Sequence, residues 1–215
     1  MNDNNFAPFD ETLITVIGSM SQLLTTVIFG LIGIGLIPKY LPYISPNIFS
    51  VNISPTLLLL CVVIISAVLV FFFLNISYLS RVLSNIRMLE NYNMYNTVFS
   101  FYNKKELLII LFFSILRYIV FSTQFFILLL LFDVNINFYD ALVLIPTMFF
   151  IISIIPSIAI AEIGVRGSVA IFLFGLVSVN KIGIISATFT LWVINLLIPT
   201  LIGVIFIFTL NFFRR

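Results

Sequence analysis

The 215-residue sequence is 62% hydrophobic and 16% aromatic but only 8% charged, with ten Lys or Arg against eight Asp or Glu. A soluble domain has about a quarter of its residues charged, and eighteen charges are too few to clothe a fold of this length in water, so the chain is an integral membrane protein. There is no histidine, and Cys61 is the lone cysteine, which excludes imidazole bases, His-based triads, nearly all zinc sites and any disulfide or thiolate-cluster framework.

The opening stretch MNDNNFAPFDE carries Asp3, Asp10 and Glu11 and no base. It lacks the positive region of a secretory signal, so the first hydrophobic segment is expected to stay in the protein. Apolar runs at about 12–37, 55–79, 107–132 and 182–211 each exceed the ~20 residues that a crossing requires, which predicts four full spans. Gly30, Gly33 and Gly35 in the first span predict close helix packing. The 38–54 connection holds Pro38, Pro42 and Pro46 and reads as turns and extended chain. Asn52 and Asn75 each open an Asn-Ile-Ser pattern that matches a glycosylation acceptor, a pattern short enough to arise by chance, and Asn75 falls within a span. The 80–105 connection places Val82, Ile86 and Leu89 at helical spacing, followed by Tyr92, Tyr95, Phe99 and Tyr102. That composition suits a cytoplasmic segment in the headgroup layer. Two further runs, 141–155 and 165–178, are too short to cross alone, and Pro199 predicts a kink in the last span.

Orientation follows from the bases. Arg81, Arg87, Lys104 and Lys105 fall in the 80–105 connection, Arg214 and Arg215 at the carboxyl end, and the 133–140 connection has Asp133 and Asp140 with no base. The positive-inside rule puts 80–105 and the C-terminus in the cytoplasm. A single broken span over 141–178 would leave the terminal arginines outside, so the two short helices are expected to form a re-entrant pair that dips in and returns. The fold class is therefore all-α: one polytopic helical membrane domain over 1–215, with about four spans and a re-entrant pair.

Three charges fall inside the membrane: Arg117, Glu162 and Arg166. Arg117 lies ten residues into its span, roughly 15 Å deep at 1.5 Å per residue, near the middle of a ~30 Å core. A charge there costs several kcal/mol unless it faces a partner or a wet hollow. The two alternatives are a cross-tie to Glu162 and a binding role. The second short helix is expected to begin near Gly164 or Val165, offering free amides, the positive end of a helix dipole and Arg166 to an anion. Half-helices that meet at mid-membrane are how many transporters build substrate sites. Gln124 lies two turns beyond Arg117 on the same face, and Asn195 lies in the last span. Ser19, Ser21 and Gln22 in the first span read as lining or as interhelical hydrogen bonds. The embedded charges sum to +1, which a phosphate-bearing head group would neutralise.

The stretch 156–167, reading PSIAIAEIGVRG, followed by an apolar run and a last span with Asn195 and Pro199, resembles the transmembrane domain of the lysylphosphatidylglycerol synthase, or flippase-like, family. The resemblance covers roughly 107–211, with looser agreement at GSMSQ, residues 18–22. It implies a bacterial inner-membrane protein that handles lipid, with Gly164 and Arg166 matching the family pattern. Gly167 stands where many members have a glutamate, and Glu162 lies earlier. Members are usually longer, with spans before the first one here, so a truncated member is expected. The aminoacyl-transfer activity of some relatives belongs to a soluble domain that this sequence does not include.

Together these readings predict a lipid flippase-like protein acting on a phospholipid or other lipid-phosphate through Arg117, Glu162, Gly164, Arg166, Gln124 and Asn195. No cofactor, metal or nucleic acid is expected, and no G-x-x-x-x-G-K-[ST] nucleotide loop occurs. The competing readings are a partial or non-transporting membrane subunit that works as a homo-oligomer or with a partner chain, and an enzyme on a lipid-phosphate. With no histidine, the embedded acid or base of such an enzyme would be Glu162.

Overall fold

The computed structural model describes residues 7–37, 55–75, 104–155 and 159–209, and every regular element among them is helical. Three helical stretches are long and apolar enough to cross a membrane: Thr15–Leu36, Lys104–Leu131 and Lys181–Phe206. Leu60–Leu74 and Phe138–Ile154 are shorter apolar helices. Many of their large apolar side chains face outward, among them Val63, Phe112, Phe113, Leu131 and Phe206. In water such a surface would aggregate; a bilayer covers it.

Helix α1 spans Ala7–Leu36 and starts before the expected 12, because Pro8, Asp10 and Glu11 all suit an opening turn, where a donor is missing and negative charge is favoured. Helix α2, Pro55–Leu74, ends earlier than the expected 79. The side chain of Asn75 donates to the carbonyl of Phe71 at 2.9 Å and closes that end, so Asn75 terminates the helix. Helix α3 spans Lys104–Leu131. The expected interfacial segment 80–105 lies outside the described residues, except that Lys104 and Lys105 open α3. The 38–54 connection, residues 76–79, the amino-terminal acids Asp3 and its neighbours, and Arg214 and Arg215 also lie outside them.

The two short runs are longer than their spacing predicts. Helix α4 spans Phe138–Ile154, with Pro146 inside it, and helix α5 spans Ala159–Phe174. Each rises roughly 25 Å, less than the ~30 Å core. The expected start of α5 near Gly164 or Val165 is wrong by at least five residues. Ala159, Ala161 and Glu162 are good helix formers, and a lone glycine inside a helix costs only about 1 kcal/mol, which neighbouring propensity outweighs. Residues 175–178 make a turn instead of helix, with the Ser178 amide donating to the Phe174 carbonyl at 2.9 Å. The last span is helix α6, Lys181–Trp192, a π-helical turn over Val193–Leu197, and helix α7, Ile198–Thr209. Where a kink is expected at Pro199, the helix widens just before it. A proline lacks the amide and its ring collides with the carbonyl four residues back, here that of Asn195, and the wider turn relieves that collision.

Contacts fix the helix directions. Ile17 of α1 clusters with Leu107 and Leu111 of α3, and the Phe29 ring stacks on Tyr118, centroids 4.6 Å apart, so α1 and α3 run parallel. Phe73, at the far end of α2, joins the same cluster, so α2 runs the other way. Helix α4 lies antiparallel to α1, and the glycines make that contact. A Cβ on Gly33 would stand 2.6 Å from Thr147 Oγ1 and 2.8 Å from the Val143 carbonyl oxygen, and one on Gly30 would overlap the Phe150 side chain. The close packing expected of Gly30 and Gly33 is therefore present. The main core joins α3 to α6 through Phe125, Leu129, Leu144, Leu173, Phe174 and Ile184. In lipid its cohesion is van der Waals fit rather than escape from water.

Both ends of the α4–α5 pair are pinned at one end of the bundle. After α3, Asp133 adopts a left-handed conformation, φ 54°, and the amides of Asp133 and Val134 return to the carbonyls of Leu130 and Leu129, a Schellman closure. Asn180 then ties the other loop to this one. Its Nδ2 donates to the carbonyls of Phe132 (3.0 Å) and Asp133 (3.2 Å), while its Oδ1 caps α6 by accepting from the Gly183 amide at 2.9 Å. The junction of α4 and α5 lies elsewhere. Ile155 and Glu162 share a cavity wall with Arg117, the midpoint of α3, and with Asn195, the midpoint of the 181–209 stretch.

Candidate functional site

A cavity of about 510 Å³ sits at that mid-level junction, a volume suited to a small-molecule head group. Thr26 of α1, Arg117 and Tyr118 of α3, Ser153 at the end of α4, Glu162 and Arg166 of α5, and Trp192 and Asn195 of the last span all face it. Arg117, Glu162, Arg166 and Asn195, the polar groups expected to act together, do share one hollow.

Their pairing decides the electrostatics. Glu162 and Arg166 are one helical turn apart on α5, and Arg166 Nε donates to Glu162 Oε1 at 2.9 Å, with Nη2 closing on the same oxygen. Both side chains are largely buried. The cross-tie alternative, Arg117 to Glu162, is not the arrangement found. Instead the Arg117 guanidinium lies over the Phe121 ring, 5.0 Å from its centroid, and no carboxylate among the described residues lies within ion-pair distance of it. With the Glu162–Arg166 pair neutral, the cavity keeps a formal +1 that resides on Arg117.

Gly164 is misplaced by the sequence reading. Because α5 already runs through it, the amides of residues 164–167 lie inside the helix instead of at its free end, and they form no helix-start anion site. At 100° per residue Gly164 stands about 200° from both Glu162 and Arg166. It is exposed on the opposite face, outside the cavity wall, with nothing within 4 Å of a Cβ built there.

Gln124 acts from behind the wall. Its Oε1 accepts from Asn195 Nδ2 at 2.9 Å, and the same amide nitrogen donates to the Leu191 carbonyl at 3.1 Å. The widened turn before Pro199 contains Asn195, so its side chain binds a carbonyl of its own helix and ties α3 to the last span at cavity level. Among the first-span candidates, Ser19 bonds the Thr15 carbonyl in its own helix, and Ser21 is fully buried with no partner for its hydroxyl among the described residues.

Two residues that the sequence reading passes over, Tyr118 and Trp192, also line the hollow. Their polar atoms are buried in the wall: the Tyr118 hydroxyl lies toward Ser122, one turn on, and the Trp192 indole N–H has no partner among the described residues. Tyr118 is adjacent to Arg117 and Trp192 is the sole tryptophan, but only the helix packing shows that both face the hollow. No group of three or more His, Cys, Asp or Glu among the described residues is placed to hold a metal ion. The cavity's free chemistry among the described residues is thus one cation without a carboxylate partner, which is chemistry for an anion.

No protein-family model, curated protein or solved structure matches the chain.

Proposed function

We propose that the protein binds a phosphate-bearing lipid in this cavity and carries its head group across the bilayer while the acyl chains stay in lipid. The observation that carries the reading is Arg117, without an ion-pair partner among the described residues, at the midpoint of a membrane-length helix and facing a hollow whose one carboxylate among those residues is already held by Arg166. An unneutralised guanidinium at that depth costs several kcal/mol, and a phosphate oxygen accepts from it in bidentate geometry. In this reading α1, α2, α3 and the α6–α7 stretch are four crossings, and α4 and α5 are a re-entrant pair. Lys104, Lys105 and the C-terminus face the cytoplasm of a bacterial inner membrane, in keeping with the resemblance of residues 107–211 to flippase-like transmembrane domains. The extended backbone of Ile155, which closes α4, is tolerated at that depth because Ile155 borders the cavity.

In vesicles that hold the purified chain and a fluorescent phosphatidylglycerol, Arg117→Ala should abolish translocation while leaving the helical content unchanged, and Arg117→Lys should retain part of it. Undiminished translocation by Arg117→Ala would remove the assignment.

One observation favours a second reading, a membrane subunit completed by another chain. Among the described residues, helix α7 packs chiefly on the π-helical turn that leads into it, and its described side chains are all exposed. Activity that appears only with a co-purifying chain would support that reading. An enzyme is less well supported, because the Glu162 carboxylate that would serve as acid or base is bound to Arg166.

A further inference from the structure

The cavity alone would accept any small anion. A second hollow, of about 80 Å³, adjoins it between α5 and α6 and is walled by Ile163, Gly167, Ile185 and Phe189. Arg166 and Trp192 line both hollows. The second one is apolar: Thr188, its one hydroxyl-bearing wall residue, donates to its own Ile184 carbonyl at 2.7 Å and offers nothing to a ligand. It exists because Gly167 has no side chain where the two helices face each other, and a Cβ built there meets nothing within 4 Å. Arg166, its guanidinium paired with Glu162, and Trp192 border both hollows, and both are amphipathic side chains. A chamber that holds the charged groups and an apolar slot that meet at these two side chains match one molecule with a charged head and a hydrocarbon tail.

We propose that the α5–α6 cleft seats an acyl chain of the same lipid whose phosphate occupies the cavity, so that the two hollows form one amphiphile site and not an anion site beside ordinary boundary lipid. The inference rests on the lipid-binding reading above and narrows it. A soluble phosphate ester would fill only the chamber, whereas a phospholipid fills both.

The test uses the full chain in phosphatidylcholine vesicles containing phosphatidylglycerol with a diazirine in one acyl chain. Photolabelling should map to the segment around Ile185 and Phe189 and be competed by unlabelled phosphatidylglycerol. Gly167→Leu fills the slot with the equivalent of a few methylenes and should lower this label roughly fivefold or more, with Gly167→Ala in between. Gly203→Leu adds the same side chain to an exposed position of α7, outside both hollows and with nothing within 4 Å of its Cβ, and should label as wild type; it also controls for any general effect of a helical Gly-to-Leu change on folding. Wild-type labelling by Gly167→Leu would overturn the seat, as would displacement by soluble glycerol phosphate as effective as that by the lipid. If Arg117→Ala still abolishes translocation in that case, the cavity reading survives without the seat. If Arg117→Ala changes neither translocation nor labelling, the cavity reading fails and the seat falls with it.

Discussion

Replacing Glu162 by Gln should strengthen binding of an anionic lipid, although it breaks the cavity's one ion pair among the described residues. A sphere of about 510 Å³ has a radius of roughly 5 Å, and the wall atoms stand about 3 Å beyond it, so an anion at its centre is roughly 8 Å from each charge on the wall. At that distance, two unit charges interact by about 2 kcal/mol at an effective dielectric of 20 and about 0.5 kcal/mol in bulk water. Glu162→Gln frees Arg166 and raises the formal cavity charge from +1 to +2, which predicts tighter binding by roughly twofold to thirtyfold. Arg166→Met leaves Glu162 unopposed, takes the charge to zero and should weaken binding over the same range. The pair lies within one helix, and such i, i+4 ties contribute only about 0.3–0.5 kcal/mol to helix stability, so neither change should separate elements of the fold. The double variant Glu162→Gln with Arg166→Met restores +1 on Arg117 and should bind close to wild type. Binding of phosphatidylglycerol in nanodiscs, measured at two ionic strengths, reads the series directly. If Glu162→Gln weakens binding as much as Arg166→Met does, and the double variant recovers nothing, the pair acts through its hydrogen bonds rather than its charge, and the electrostatic reasoning is wrong.

Two further predictions concern the frame that holds the cavity. Gly33→Val places a Cβ 2.6 Å from Thr147 Oγ1, so α1 and α4 must part; the expected loss is about 1–3 kcal/mol in detergent unfolding, while Gly18→Val, with nothing within 4 Å of its Cβ, should lose far less. An equal loss at both positions would show helix propensity at work instead of close packing. Asn180→Ala removes the cap of α6 and both bonds to the α3 turn, which should cost about 2–3 kcal/mol and speed hydrogen exchange at the Gly183 amide; unchanged exchange there would show that the loop tie is not holding the helix start.

Much of this arrangement is legible in the sequence, and the parts that are not have identifiable causes. Three helices long and apolar enough to cross a membrane follow from apolar run length, and the place of Arg117 midway along one of them follows with them. Gly30 and Gly33 announce a close contact, though not that α4 would be the neighbour. The start of α5 is missed because Gly164 reads as a break, whereas the alanines before it carry the helix on; this one error also hides the Glu162–Arg166 pairing, since i, i+4 neighbours meet only if the intervening chain is helical. Tyr118 and Trp192 are invisible for a different reason. A mostly apolar helix has no clear polar face, so the sequence pattern does not tell which side meets a cavity and which meets lipid.

The short length of α4 and α5 makes the site. Each rises roughly 25 Å from the end of the bundle that Asn180 ties together, so their junction stops beside the midpoints of much longer helices instead of passing them. An unbroken helix in their place would run past those midpoints and fill the space that the cavity occupies. The hollow beside their ends also accommodates Arg117, midway along α3. One of the three embedded charges is a carboxylate, and it is placed four residues before the arginine of its own helix, so it neutralises that arginine and leaves Arg117 available. Had Glu162 been set on α5 where it could reach across to Arg117, the same residues would make a closed structural tie with no free charge. The difference between a site and a tie in this fold is therefore the helical register of one glutamate.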